Sequence, residues 1–206
     1  MRLKKLKKGF ERLTKEKARI IAHLIGDGYL GKSKHDYNLK YEVSDVESLN
    51  SFESDIAKTY GLKMTHGMNP SGKTGKLIPF VRLRSKLVYD DLLRYASYYS
   101  ASWNLTNTVI NSDKCIQKEF LKAFFDDEGS VFLQNTGPII RLYSINLHGL
   151  QQINKMLLVF GIRTKLVGGF GFKRNVYALV INDLKQFYDK LGFNLKRKQE
   201  KLIGFL

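Results

Sequence analysis

The sequence predicts an α+β fold of two pseudo-symmetric αββαββα halves with antiparallel sheets. The chain repeats. With Asp27-Gly28 placed over Glu128-Gly129, a shift of 101 residues, Ala22 falls on Ala123, Asp45 on Asn146 and Leu49 on Leu150. After a one-residue slip Gly61 falls on Gly161, and allowing for a longer loop in the first half, Phe80-Val81-Arg82-Leu83 falls on Tyr177-Ala178-Leu179-Val180. Repetition at a fixed spacing marks a duplicated structural unit. Within each copy, apolar residues three and four apart alternate with segments of period two, the signatures of amphipathic helices and of strands buried on one face.

Taken in order, residues 1–13 form a basic N-terminal tail without the apolar core of a secretory signal. The first half, 14–98, opens at Thr14, a suitable N-cap, on a helix carrying Ile20, Ile21, Leu24 and Ile25. Strand Leu39–Val43 puts Leu39, Tyr41 and Val43 on one face and Lys40 and Glu42 on the other. The next helix has Leu49, Phe52, Ile56 and Tyr60, and ends at Gly61, which suits a left-handed C-cap. Residues 69–76 read as a flexible basic loop before strand Val81–Arg84, where Val81 and Leu83 oppose Arg82 and Arg84. Residues 99–111 are a polar linker. The second half, 112–206, repeats the plan: a helix from Ser112 or Asp113 with Phe120, Leu121, Phe124 and Phe125; strand Ile139–Ser144; a helix with Leu150, Ile153, Leu157 and Phe160 ending at Gly161; and a closing stretch from Phe187 to Leu202. Sheets patterned this way bury one face and leave the other open.

Charge narrows the function. The chain has 35 Lys and Arg against 19 Asp and Glu, a formal charge of +16, which calls for a polyanionic partner. Nucleic acid is the expected partner and an anionic membrane surface the rival. No apolar run is long enough to span a bilayer. Cys115 is the single cysteine, so no intrachain disulfide or cysteine zinc site can form, and an intracellular, cytoplasmic location is expected. The four histidines show no ligand spacing. His23, inside the first helix, reads as a satisfied buried or interfacial side chain, and Trp103 as core or linker packing.

The segments Ile20-Ile21-Ala22-His23-Leu24-Ile25-Gly26-Asp27-Gly28 and Leu121-Lys122-Ala123-Phe124-Phe125-Asp126-Asp127-Glu128-Gly129 both resemble the motif of the LAGLIDADG homing endonucleases. The resemblance covers almost the whole chain, and Arg197-Lys198-Gln199-Glu200-Lys201-Leu202 also resembles archaeal members. It implies saddle-shaped sheets and two motif helices packed together at the interface of the halves, with Asp27 and Glu128 meeting at the bottom of the pair in a monomer that acts as a pseudo-dimer. Small residues Ala22, Gly26 and Ala123 suit close helix approach. Two carboxylates brought together repel unless a cation neutralises them. Oxygen ligands suit Mg²⁺ (or Mn²⁺), so Asp27 and Glu128 are the expected catalytic metal ligands, with Gly26 and Asp127 as further candidates. Asp127 stands where the family has Ala or Gly.

The resemblance also implies that Lys86 approaches the scissile phosphate, its counterpart being Asp183, and that Asp45 and Asn146 position water, although both are equally well placed to cap the following helices. The DNA face is expected to carry Lys32, Lys34, Lys40, Arg82, Arg84, Arg141, Tyr143, Lys173 and Arg174. The implied activity is staggered, metal-dependent cleavage across the minor groove of double-stranded DNA with a long asymmetric target site. An RNA maturase bound to its own intron RNA, a DNA-binding regulator without activity and a basic RNA-binding structural protein are the alternatives. Met1 and the lack of flanking splicing-type residues favour an intron-encoded or free-standing protein.

Overall fold

A computed structural model describes residues 10, 12–34, 36–72 and 75–206. Most of the basic tail, His35, and Lys73 and Thr74 of the 69–76 loop therefore lie outside the described residues. The first half runs α1 (Lys15–Ile25), β1 (Gly28–Lys32), β2 (Tyr37–Glu42), α2 (Val46–Tyr60), β3 (Thr65–Pro70), β4 (Leu77–Arg84) and α3 (Lys86–Leu93). A connector holds β5 (Ala96–Ser97), β6 (Asn104–Leu105) and α4 (Asn107–Ile110). The second half runs α5 (Lys114–Glu128), β7 (Gly129–Gln134), β8 (Gly137–Ser144), α6 (Leu147–Val159), β9 (Lys165–Phe170), β10 (Val176–Ile181), α7 (Leu184–Lys190) and α8 (Lys196–Ile203).

Each half forms a four-stranded antiparallel sheet, ordered β1-β2-β4-β3 and β7-β8-β10-β9. The identical order is the duplication seen in the sequence. The local signals act as expected. Thr14 Oγ1 accepts from Lys17 N at 3.2 Å, and Gly61 ends α2 at φ 69°. Gly161, also left-handed, follows α6. The closing stretch is not one helix: Gly192 at φ 70° divides α7 from α8.

The core lies between the sheets and the central helix pair. Helix α1 packs along α5 more extensively than on any other helix. Ala18, Ala22 and Ala123 are fully buried there, letting the backbones approach. Ile20, Ile21, Leu24, Phe120, Leu121 and Phe124 fill the flanks, each such side chain contributing about 1.5–3 kcal/mol on leaving water. Arg19 clips three helices: its guanidinium meets Asp55 of α2 through two bonds of 2.7 Å and Glu119 of α5 at 2.5 Å. In the first half, Lys17 and Asp91 form a buried ion pair at 2.7 Å beneath Tyr60 and Tyr95.

The 99–111 linker is docked on the second half: Trp103 is buried against Phe124, as its reading as core or linker packing expects, and Gln152 of α6 binds the backbone of Leu105 from both ends of its amide. One sequence expectation changes: the β4/β10 alignment moves by one residue. Gly28 pairs with Tyr41 and Tyr41 with Val81, while Gly129 pairs with Leu142 and Leu142 with Leu179. Val81 therefore corresponds to Leu179, not Ala178. A one-residue slip exchanges the two faces of a strand, so Ala178 faces outward and Leu179 inward.

Candidate active site

Both motif helices stop at the same place for the same reason. A Cβ on Gly28 would lie 2.6 Å from Leu24 Cα and 2.7 Å from His23 O. A Cβ on Gly129 would lie 2.7 Å from Phe125 O. Only glycine lets the chain fold back from each helix into the first strand, and the acid before it is left at the helix end. Asp27 remains exposed and Glu128 part-exposed.

These two carboxylates have the electrostatics of an unneutralised pair. Glu128 is pushed up to about 7 by burial, then by the charges of Asp27 and Asp127. Asp27, although open to solvent on one side, is pushed up to about 6 by the protein packed round its carboxyl and then by Asp127, while Lys198 and His23 pull it down. A cleft of about 230 Å³ beside them is lined by Asp27, Asp45, Asp127 and Arg197 among others.

The run Asp126-Asp127-Glu128 divides its work three ways. Asp126 turns away and accepts from Asn194 N (2.9 Å) and Leu195 N (3.1 Å), holding the start of α8. Asp127 turns into the helix interface: Tyr41 Oη donates to its Oδ1 at 2.7 Å, and His23 Nδ1 lies 3.0 Å from its Oδ2. Burial and the Asp127 charge hold the Tyr41 phenol above its usual range, so it stays a donor. The His23 imidazole, which burial alone would push down, is held above its usual value by Asp127. Glu128 is the acid of the three without a hydrogen-bond partner among the described residues, and it lies close enough to Asp27 to feel its charge.

Asp127 fits because Gly26 lies opposite. A Cβ on Gly26 would sit 2.7 Å from Asp127 Oδ2 and 2.8 Å from its Cβ. The two residues expected as extra ligands thus pack on each other, and both Asp127 oxygens already have protein partners. Among the described residues no group of three or more His, Cys, Asp or Glu is set to hold a metal. The donor set here is two carboxylates. That fits Mg²⁺, which binds through one or two carboxylates and completes its shell with water and phosphate oxygens.

Lys198 is the cation of this region. Its Nζ donates to the carbonyls of Asp126 and Gly129 at 2.5 Å, and lies 3.3 Å from those of Phe125 and Asp127. The last carbonyls of a helix lack partners within it and carry partial negative charge, so a buried ammonium there satisfies both needs. Burial holds the Lys198 ammonium below its usual range.

Residues 116–192 match the LAGLIDADG-like domain. The fold is similar to that of the homing endonuclease I-DmoI in complex with DNA and Mn, with a TM-score of 0.64 at 17% identity over 87% of this chain and 97% of that one. It is similar to I-WcaI bound to its DNA recognition sequence, with a TM-score of 0.68 at 15% identity over 97% of this chain and 91% of that one. The second half of the chain thus matches a LAGLIDADG-like domain, and the whole chain is similar in fold to two homing endonucleases. Among curated proteins, the chain is 26% identical to DNA-directed RNA polymerase subunit Rpo1N of Methanocaldococcus jannaschii over 91% of its length. It is 24% identical to the DNA polymerase II large subunit of Thermococcus kodakarensis over 87%. It spans only 16% and 11% of those chains.

The other residues singled out from the LAGLIDADG resemblance are dispersed. Lys86 begins α3, pairs with Asp90 at 2.7 Å and lies over Tyr37. It is five residues beyond Val81, the position level with Tyr41 and Gly28, so strand rise puts it about 16 Å along the sheet from Asp27. Its counterpart is Leu184, since Ser85 and Asp183 are the matching N-caps of α3 and α7. Asp45 caps α2 through Glu47 N and Ser48 N, and also binds Arg197 Nε at 2.8 Å on the wall of the cleft. Asn146 caps α6 through Gly149 N and donates to Trp103 O at 2.6 Å, so both ends of its amide are engaged.

Lys40, Arg82 and Arg84 lie on the outer face of the first sheet, with Lys40 and Arg82 over the Phe80 ring. Lys32 pairs with Tyr37 and follows the parity of core-facing Leu30, so it belongs to the opposite face. Lys34 is exposed in the β1–β2 turn. Arg141 and Tyr143 share the outer face of the second sheet, joined by a 2.7 Å hydrogen bond. Lys173 and Arg174 lie at the exposed β9–β10 tip. The sequence reading gave no role to Lys198 or Arg197. The available signal was helical spacing: Leu195, Lys198 and Leu202 share one face, so a lysine stands in a buried stripe.

Proposed function

We propose that the chain is a site-specific endonuclease that hydrolyses both strands of duplex DNA with a divalent metal ion. The observation that carries this is the pair Asp27 and Glu128 at matching ends of two packed helices, each held above the ordinary carboxylate range by burial and neighbouring negative charge. Asp27 and Glu128 would hold Mg²⁺ or Mn²⁺. When bound, such an ion would supply water activation and stabilisation of the leaving 3′ oxygen. Lys198 holds the end of α5, and with it the backbone of Glu128, while Asp127 locks α5 to α1 through His23 and Tyr41. Lys198, rather than the distant Lys86, supplies the positive field at the pair. The cations of the sheet faces and hairpin tips (Lys34, Lys40, Arg82, Arg84, Lys173 and Arg174) track phosphates and base edges. Similarity of fold to DNA-bound homing endonucleases supports the same partner. One centre serves both strands only where they approach across the minor groove, which gives a staggered cut.

The test is cleavage of duplex DNA libraries with Mg²⁺ by wild type, Asp27→Asn and Glu128→Gln. Both variants should bind DNA and cut at less than about one hundredth of the wild-type rate. Full cutting by both would remove this mechanism. Duplex binding by wild type without Mg²⁺-dependent nicking would leave a DNA-binding protein without activity.

A further inference from the structure

The two saddle faces are chemically different, and the corrected strand register shows it position by position. Asn38 in the first sheet corresponds to Ile139 in the second, and Arg82 to Val180. Glu42 corresponds to Tyr143, and Gly67 to Val167. One cation is kept, Lys40 corresponding to Arg141. On the outer face of the second sheet Ile139, Ala178 and Val180 are buried by Tyr143, Val167 and Phe170, a cluster separate from the main core. Arg141 stands within it, its guanidinium 5.5–5.9 Å from the ring centroids of Phe132, Tyr143 and Phe170.

We propose that the two sheets read half-sites of different chemistry, the second recognising thymine methyl groups in the major groove. This rests on the DNA-binding reading above. The major groove offers polar edges on every base pair and an apolar group, the C5-methyl, only at thymine. A face carrying Lys40, Glu42 and Arg82 is equipped for polar edges, with arginine suited to guanine. A face whose outer layer is Phe132, Tyr143, Val167 and Phe170 around one arginine has few hydrogen-bonding groups to offer and matches methyls. The occupant is DNA rather than an apolar protein because the patch holds Arg141 at its centre, bears Lys165 on the same face and lies beside Lys173 and Arg174, in a chain of charge +16.

The experiment selects bound duplexes from a random library, with Ca²⁺ replacing Mg²⁺. The best site is then rebuilt with deoxyuridine for thymidine in one half at a time. Loss of one buried methyl contact should weaken binding about fourfold. Wild type should show that loss per contacted thymine in one half-site only, and Phe132→Ala, at an exposed position, should reduce the sensitivity in that half alone. Equal sensitivity in both halves, or none in either, overturns this inference while leaving the nuclease reading standing. So does concentration-dependent self-association through this face, lost in Phe132→Ala. No duplex binding at all overturns both.

Discussion

Glu128→Gln should raise the stability of the metal-free protein at neutral pH while abolishing cleavage. The folded carboxyl sits at about 7, against a reference of 4.5. A carboxyl raised on folding binds its proton more tightly in the native state, so it favours the fold below its unfolded value and opposes it as pH rises through the folded value. The rise from 4.5 to about 7 corresponds to ~3 kcal/mol for a fully sequestered group. Glu128 is part-exposed and solvent screens its repulsion, which leaves ~1–2 kcal/mol. Glutamine does not ionise, so the stability of the variant relative to wild type should grow by that amount between about pH 4.5 and about pH 8. Chemical unfolding with a chelator present measures it at both ends of the window. Adding Mg²⁺ should stabilise wild type and leave the variant unchanged. A difference between variant and wild type that stays constant across the window would refute the argument that the pair is strained by its own charge.

Three further outcomes follow from the same geometry. Asp127→Ala removes the partner of two buried donors, His23 and Tyr41; urea unfolding should show a loss of about 2–4 kcal/mol, with the Mg²⁺ concentration giving half-maximal cleavage unchanged. Lys198→Met leaves the carbonyls at the end of α5 unpaired, which should cost about 1–3 kcal/mol in thermal or urea unfolding and slow cleavage at saturating DNA. If about eight sheet and hairpin cations neutralise phosphates, duplex binding should fall with a log–log salt slope of about −7, measured by fluorescence anisotropy.

Features set by local pattern were legible in the sequence. Helix starts at Thr14 and Asp45, the left-handed stop at Gly61 and the acid-Gly helix ends depend on a few adjacent residues, and the structure forms them at those positions. Features set by contacts across the chain were not. Lys198 looks like one more surface cation until α8 folds back on α5, 70 residues upstream. Asp127 could be read as a metal ligand because nothing in its neighbourhood indicates that His23 and Tyr41, from the other half, face it. The β4/β10 slip had the same origin: two short apolar runs align almost equally well in adjacent registers, and only pairing to Tyr41 and Leu142 decides between them.

The duplication is broken where the halves touch, and sterics show why one covalent chain permits this. In a dimer of identical halves every substitution appears twice. Asp at the position of both Gly26 and Asp127 would bring two Cβ atoms within about van der Waals overlap, since a Cβ on Gly26 already lies 2.8 Å from that of Asp127. It would also place two buried carboxylates at one interface, where like charges repel. With Gly26 on one side, Asp127 gains room and takes its counter-group, His23, from α1. The acid that locks the helices is thereby separate from the acids left free at their ends, and the same freedom lets one sheet keep charged outer positions while the other becomes apolar.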